Sequence, residues 1–106
     1  MKETLPSHFK KFVKKYPAVW KAHQQLTEAA ADCGPLDRKT RELIKLAISG
    51  TANQETAVER HAVMAVQEGA KPDEVYHALL QMITIIGFPR TSAAIKWAER
   101  ALTSKK

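Results

Sequence analysis

The stretch that decides the fold is GPLDRKTRELIKLAISG, which runs from Gly34 to Gly50. Asp37 is placed to cap a helix that continues to about Ser49, and Gly50 is placed to stop it. Apolar residues recur here at every third or fourth position, which predicts one buried helix face. That face consists of Leu36, Leu43, Leu46, Ala47 and Gly50. The stretch therefore predicts a two-faced helix that packs against other helices.

Three further helices are predicted on either side of this stretch. Downstream, Thr51 and Gln54 have the spacing of a capping box, and Gly69 marks the end of the helix that they begin. Its predicted buried stripe has the same three-and-four spacing and consists of Val58, Ala62, Ala65 and Val66. Upstream, two amphipathic helices are predicted over 6–15 and 17–31.

The apolar segment that follows Pro72 predicts contact with other subunits. Proline suits the first turn of a helix, and this helix is predicted to stop at Gly87, before Pro89 opens the last one. Its second half is apolar on nearly all sides, and one chain of 106 residues cannot enclose such a helix. We therefore predict an all-α protein in which this helix lies at a subunit interface.

Composition restricts the classes of partner. The net charge of +6 would suit nucleic acid, but few aromatic residues alternate with the lysines and no nucleic-acid-binding signature is present. We therefore expect no nucleic-acid partner. The lone cysteine, Cys33, fits a reducing compartment. Since no apolar run is long enough to span a bilayer and no signal-peptide core is present, we expect a cytoplasmic protein without a membrane partner.

Several short motifs occur in a familiar order between Leu36 and Ala101. They are Gly34-Pro35-Leu36-Asp37, the run 40–47, His61, Ala65, Gly69-Ala70, the run 73–79 and Gly87-Phe88-Pro89. This block resembles the carboxymuconolactone decarboxylase-like family, which includes the alkylhydroperoxidase D proteins. The resemblance implies a small orthogonal bundle of about six helices, assembled into trimers or hexamers. It divides the single domain into N-terminal helices at 1–33 and a family core at 34–106.

The redox branch of that family uses a Cys-x-x-Cys pair on the second core helix. Gln54 and Ala57 stand at those two positions here, so the chain lacks the nucleophile for dithiol chemistry. His61 fills the histidine position of the family, and Glu42 fills the glutamate position. The resemblance therefore implies that His61 and Glu42 carry acid/base catalysis.

The decarboxylase branch converts a carboxylated muconolactone to an enol-lactone without a cofactor. Its members carry a His-Glu pair shortly before the helix histidine, where this chain has Thr56 and Ala57. We therefore predict a lyase or isomerase that uses neither cofactor nor metal and acts on a small anionic lactone or carboxylate. Cationic or amide side chains would hold such a substrate. The candidates are Arg41, Arg60, Arg90 and Gln54.

Each of these assignments has a plainer alternative. His61 could be a hydrogen-bonded core histidine, and Glu42 could be a surface partner of Arg38 and Lys45. Cys33 is expected to be a small buried residue, although a peroxidase based on this one cysteine is a rival function. A third alternative is a non-catalytic binding protein that kept the fold.

Overall fold

All regular secondary structure is helical in the computed structural model, which describes residues 7–103. The helices are α1 (Ser7–Lys15), α2 (Pro17–Asp32), α3 (Arg38–Thr51), α4 (Glu55–Gln67), α5 (Pro72–Leu80), α6 (Ile83–Ile86) and α7 (Phe88–Thr103). The predicted all-α fold class is confirmed, with α6 as a single short turn. The predicted helix start at Pro6 lies outside the described residues. Within them, no helix is both long and apolar enough to cross a membrane.

The chain divides into two compact units, residues 1–35 and 36–106. In the first unit, α1 and α2 pack through aromatic rings. The ring centroid of Phe12 lies 5.5 Å from that of Tyr16 and 6.4 Å from that of Trp20. No residue of α2 is buried. This helix therefore contributes no core of its own.

The second unit contains the core, in which α4 packs against both α3 and α7. Its fully buried apolar side chains are Leu46, Val58, Ala62, Ala65, Val75, Leu79, Ala94 and Ala98. Alanine supplies half of this set, and small side chains let helix axes approach closely. Two residues of the predicted buried stripes, Leu36 and Val66, are exposed, so their predicted burial is wrong.

The first core helix begins as predicted but ends later. The amide of Thr40 donates a hydrogen bond of 2.8 Å to Oδ1 of Asp37, which confirms the cap. However, α3 continues to Thr51, so the prediction that Gly50 stops it is wrong. Gly50 is buried within α3, where a Cβ would lie 2.8 Å from Sδ of Met82 and 3.1 Å from Cβ of Ala94. Glycine is present at this position because neighbouring side chains lie too close for anything larger.

The second core helix starts four residues later than predicted. Thr51 belongs to α3, and its hydroxyl donates to the carbonyl of Ala47 over 2.9 Å, so the predicted capping box is wrong. Asn53 takes a left-handed conformation (φ 61°) in the turn before α4. Asparagine tolerates that conformation better than most residues do. This turn reverses the chain and lays α4 against α3.

The predicted single helix from Pro72 to Gly87 is broken. α5 ends at Leu80, and a turn at Gln81 and Met82 separates it from α6. The turn places Met82 in the core with only 3% of its surface exposed. It directs the isoleucines of α6 away from the core, where they are exposed.

The cap of α3 gives a pH-dependent prediction. A side-chain and a backbone hydrogen bond from Thr40 hold the pKa of Asp37 below its ordinary value. Ionised Asp37 therefore stabilises the folded chain at pH values above its unfolded-state pKa, and this contribution is lost as the pH falls through the folded-state pKa. We expect Asp37→Asn, which can still cap, to melt below the wild type at neutral pH and to match it in strong acid. Circular dichroism melts from about pH 7 to about pH 2 would measure this gap, and a constant gap would contradict the account.

The close approach at Gly50 gives a second prediction. Gly50→Ala should destabilise the chain by about 1–3 kcal/mol, because its methyl group would overlap Met82 and Ala94. The better helix propensity of alanine offsets up to about 1 kcal/mol of that loss. Gly34→Ala is the matched control, since a Cβ there meets nothing within 4 Å. Urea unfolding of both variants would measure the difference, and equal stabilities would refute the packing account.

Candidate functional site

A carboxylate and an imidazole meet across the first two core helices. Nδ1 of His61, on α4, lies 2.7 Å from Oε1 of Glu42, on α3. This is the distance of a strong, charge-assisted hydrogen bond. The two residues predicted to be catalytic are therefore in direct contact, and their catalytic role stays a prediction.

The helix patterns explain why these two side chains face each other. Glu42 lies four residues before Leu46 and eight before Gly50, so all three share the buried face of α3. His61 lies three residues after Val58 and four before Ala65 on the inner side of α4. α3 and α4 pack against each other after the short turn that joins them, and Glu42, near the start of α3, meets His61 in the middle of α4.

Both side chains of this contact are mostly buried, and His61 is the more exposed of the two. The side chain of Glu42 is 11% exposed, and that of His61 is 19% exposed. A buried carboxyl group is costly unless it is hydrogen-bonded, and the imidazole of His61 is its hydrogen-bond partner. The alternative that Glu42 is a surface ion-pair partner is therefore wrong. The burial and hydrogen bond of His61 fit a core histidine as well as a proton-transfer group.

Three of the predicted substrate-binding side chains donate a hydrogen bond to a backbone carbonyl. Nη1 of Arg41 donates to Leu36 over 2.7 Å, and Nε2 of Gln54 donates to Ala52 over 3.3 Å. In the same way, Nη1 of Arg90 donates to Thr51 over 2.9 Å, at the end of α3. These bonds fix the ends of α3. The fourth candidate, Arg60, is partly buried on α4 directly before His61.

Arg100 is an interaction partner that sequence reasoning missed. Its guanidinium bridges Glu55 and Glu59 of α4, with Nε 3.2 Å from Oε2 of Glu59. The hydrogen bond from Arg100 to Glu59 and, to a smaller extent, the one to Glu55 raise the pKa of the arginine above its ordinary value. The spacing of the two glutamates marks a shared helix face, but nothing in the sequence indicates which residue of α7 meets it. This group ties α7 to α4.

Cys33 is exposed, so the expectation that it is buried is wrong. Its thiol donates to the carbonyl of Ala30 over 3.4 Å, at the end of α2. A cavity of about 370 Å³ lies elsewhere, between α3 and the α5–α6 turn. Neither Glu42 nor His61 lines that cavity. Among the described side chains, no group of three His, Cys, Asp or Glu residues could hold a metal ion.

The contact between Glu42 and His61 predicts an energetic coupling. In a double-mutant cycle with Glu42→Ala and His61→Ala, we expect a coupling energy of about 1–3 kcal/mol in the free energy of unfolding. The same cycle with Glu42→Ala and His77→Ala is the control, since His77 is exposed on α5. Urea unfolding of the single and double variants gives both values. A coupling below about 0.5 kcal/mol for the first pair would show that the bond does not stabilise the fold.

Comparison with known proteins places this arrangement in a family. A sequence profile of the Carboxymuconolactone decarboxylase family matches residues 17–100. The chain is similar to the crystal structure of an apo carboxymuconolactone decarboxylase family protein from Legionella pneumophila, with a TM-score of 0.83 and 26% identity. That similarity covers 94% of this chain and 89% of the Legionella chain.

A curated relative adds sequence similarity without a function. An uncharacterized protein from Haemophilus influenzae is 45% identical over 60 residues, which cover 53% of this chain and 53% of that protein. The match thus spans about half the length of the relative. The family profile covers most of the chain and begins well before Leu36, within α2. This chain belongs to the carboxymuconolactone decarboxylase family.

Proposed function

We propose that this protein is a cofactor-free acid/base enzyme, of lyase or isomerase type, that acts on a small anionic lactone or carboxylate. The observation that carries the proposal is the hydrogen bond of 2.7 Å between His61 and Glu42. An orienting carboxylate behind an imidazole is a recurrent arrangement for proton transfer. We further propose that the chain works in the cytoplasm as a homo-oligomer of three or six copies, which is the assembly that the family resemblance implies.

We propose a separate role for each ring nitrogen of His61. An ionised Glu42 accepts the Nδ1–H bond and holds the ring in one orientation. Nε2 points away from the carboxylate, so it is the atom that exchanges a proton with the substrate.

Both reaction types follow from that assignment. In an isomerisation, Nε2 removes a proton from a carbon beside a carbonyl, the C–H electron pair forms an enolate, and the proton returns to another carbon. In a decarboxylation, the bond to the carboxylate carbon breaks and CO2 leaves. The electron pair left on the substrate carbon then takes the proton from protonated Nε2. Neither reaction needs an oxidant or a reductant.

The substrate carboxylate needs a cationic partner, and we propose Arg60 for this role. Guanidinium groups bind carboxylates through two parallel hydrogen bonds. Arg60 adjoins His61 on α4 and is partly buried. Arg41 and Gln54 remain proposed contacts, and each keeps further N–H donors beside the one that binds a carbonyl.

The residues at the former thiol positions favour acid/base chemistry over peroxide reduction. Gln54 directly precedes α4 and Ala57 lies in its first turn, so the end of α4 that precedes His61 carries no thiol. A redox function would have to use Cys33, which lies in the first unit. We therefore propose the redox function only as the rival that the next experiment tests.

The test begins with a substrate and ends with substitutions. Small lactones and carboxylates that raise the melting temperature are candidate ligands, because binding to the folded state stabilises it. On a compound that the wild type converts, His61→Gln should lower kcat at least about 100-fold, and Glu42→Gln should lower it less. Cys33→Ser and His77→Gln are the controls and should keep wild-type turnover. Unchanged turnover in His61→Gln would overturn the proposal, and lost turnover in Cys33→Ser would favour the redox rival.

A further inference from the structure

The first helix of the first unit is basic on one side. Five lysines and no acidic residue occur between Ser7 and Thr27. Four of these lysines belong to α1, at spacings of one, three and four residues, so they share one side of the helix. All four are exposed. We call this side the lysine face, and its members are Lys10, Lys11, Lys14 and Lys15.

The opposite side of α1 is apolar and leads into the bend between α1 and α2. Phe9, Phe12 and Val13 recur there at spacings of three and four residues. The amide of Tyr16 donates to the carbonyl of Phe12 over 2.8 Å, so Tyr16 extends this side by one turn. Phe12 and Tyr16 are exposed, and Val19, in the first turn of α2, is 57% exposed. The bend therefore presents apolar side chains directly after the lysines.

One lysine of the lysine face lies close to one of these rings. Nζ of Lys15 is 5.6 Å from the centroid of the Tyr16 ring. An aromatic ring with a lysine amine beside it suits the boundary of a bilayer, where the ring sits among the headgroups and the amine reaches phosphate oxygens. Helices with lysine on one side and large apolar residues on the other lie in that boundary. Positive charge and apolar contact are thus available on one short stretch of chain.

We propose that the lysine face and the bend after it bind the surface of a membrane that carries anionic lipids. The lysines pair with lipid phosphates, and Phe12, Tyr16 and Val19 enter the layer between the headgroups and the acyl chains. Such a contact lies on the membrane and needs no segment that spans it, so it replaces our expectation of no membrane partner. It goes beyond the proposed function and uses neither His61 nor any substrate.

Charge and ring geometry favour a lipid surface over other occupants. A second copy of the chain would bring the same lysines and would be repelled. Nucleic-acid bases stack on flat aromatic faces. Here the ring plane of Phe12 is tilted by 48° from that of Tyr16 and by 76° from that of Trp20. These rings form no common stacking platform, whereas a fluid lipid layer requires no alignment of rings.

The first test measures binding of the whole chain to vesicles. The chain should sediment with vesicles of phosphatidylcholine that contain about 30% phosphatidylglycerol, and binding should weaken as NaCl rises from about 0.05 M to about 0.5 M. It should not sediment with vesicles of pure phosphatidylcholine, which carry no net charge. Equal binding to the two kinds of vesicle, or binding to neither, would overturn the proposal.

Charge substitutions then locate the contact on α1. A variant with Lys10→Gln, Lys11→Gln and Lys14→Gln should bind anionic vesicles at least about 30-fold more weakly, since each lysine near such a surface contributes about fivefold. The matched control should stay within about 3-fold of the wild type. It removes three exposed cations of the second unit, through Arg38→Gln, Lys71→Gln and Lys96→Gln. Equal losses in the two variants would show that net charge alone governs binding, which would refute a site on α1.

A last comparison separates a lipid layer from a polyanion in solution. Tyr16→Ala should weaken vesicle binding about 3- to 10-fold, because its ring no longer enters the interface. Val66→Ala, which truncates an exposed apolar side chain of the second unit, is the control and should bind as the wild type does. Unchanged affinity in Tyr16→Ala would contradict the lipid contact. Tighter binding of the wild type to a single-stranded oligonucleotide than to anionic vesicles would contradict it as well.

Discussion

The hydrogen bond between Glu42 and His61 is the interaction on which the functional account depends. A carboxylate that is only 11% exposed must have a donor, since an unpaired buried charge costs several kcal/mol. The contact adds a polar link to the apolar packing between α3 and α4. Small residues allow close packing around the pair: Gly50 of α3 leaves room for Met82 and Ala94, and Ala62 and Ala65 of α4 are fully buried. Fold and site are thus specified by the same two helices.

Membership of the carboxymuconolactone decarboxylase family accounts for the fold more fully than for the chemistry. One fold can carry several reactions, and the reaction is decided by the groups at the site. Here the residues near Glu42 and His61 differ from those of both family branches. Gln54 and Ala57 stand in place of the two thiols, and Thr56 and Ala57 stand in place of the His-Glu pair of the decarboxylases. What remains is a pair of groups suited to moving protons. This is why we propose acid/base chemistry.

The sequence predicted local features well and tertiary ones poorly. The cap at Asp37 and the stripe through Val58 depend on residues within one helix, so their spacing revealed them. The role of Gly50 depends on Met82 and Ala94, which lie far along the chain. Considered only within its own segment, the same glycine predicts the end of a helix. The break at Gln81 follows from how Met82 enters the core, which periodicity does not show. Glu42 has charged neighbours on its own helix, so residue spacing did not indicate His61; the family resemblance linked the two residues, and the fold shows that they are in contact.

The most direct test of the central claim is the tautomer of the neutral His61 ring, read from the 15N chemical shifts of its two nitrogens. If Glu42 holds the imidazole as described, Nδ1 carries the proton and gives the shift of a protonated ring nitrogen, while Nε2 gives that of an unprotonated one. A neutral histidine side chain in water favours the opposite tautomer, with the proton on Nε2, so the result is informative. A proton found on Nε2, with Nδ1 bare, would contradict the account, because Nε2 could then not act as the base.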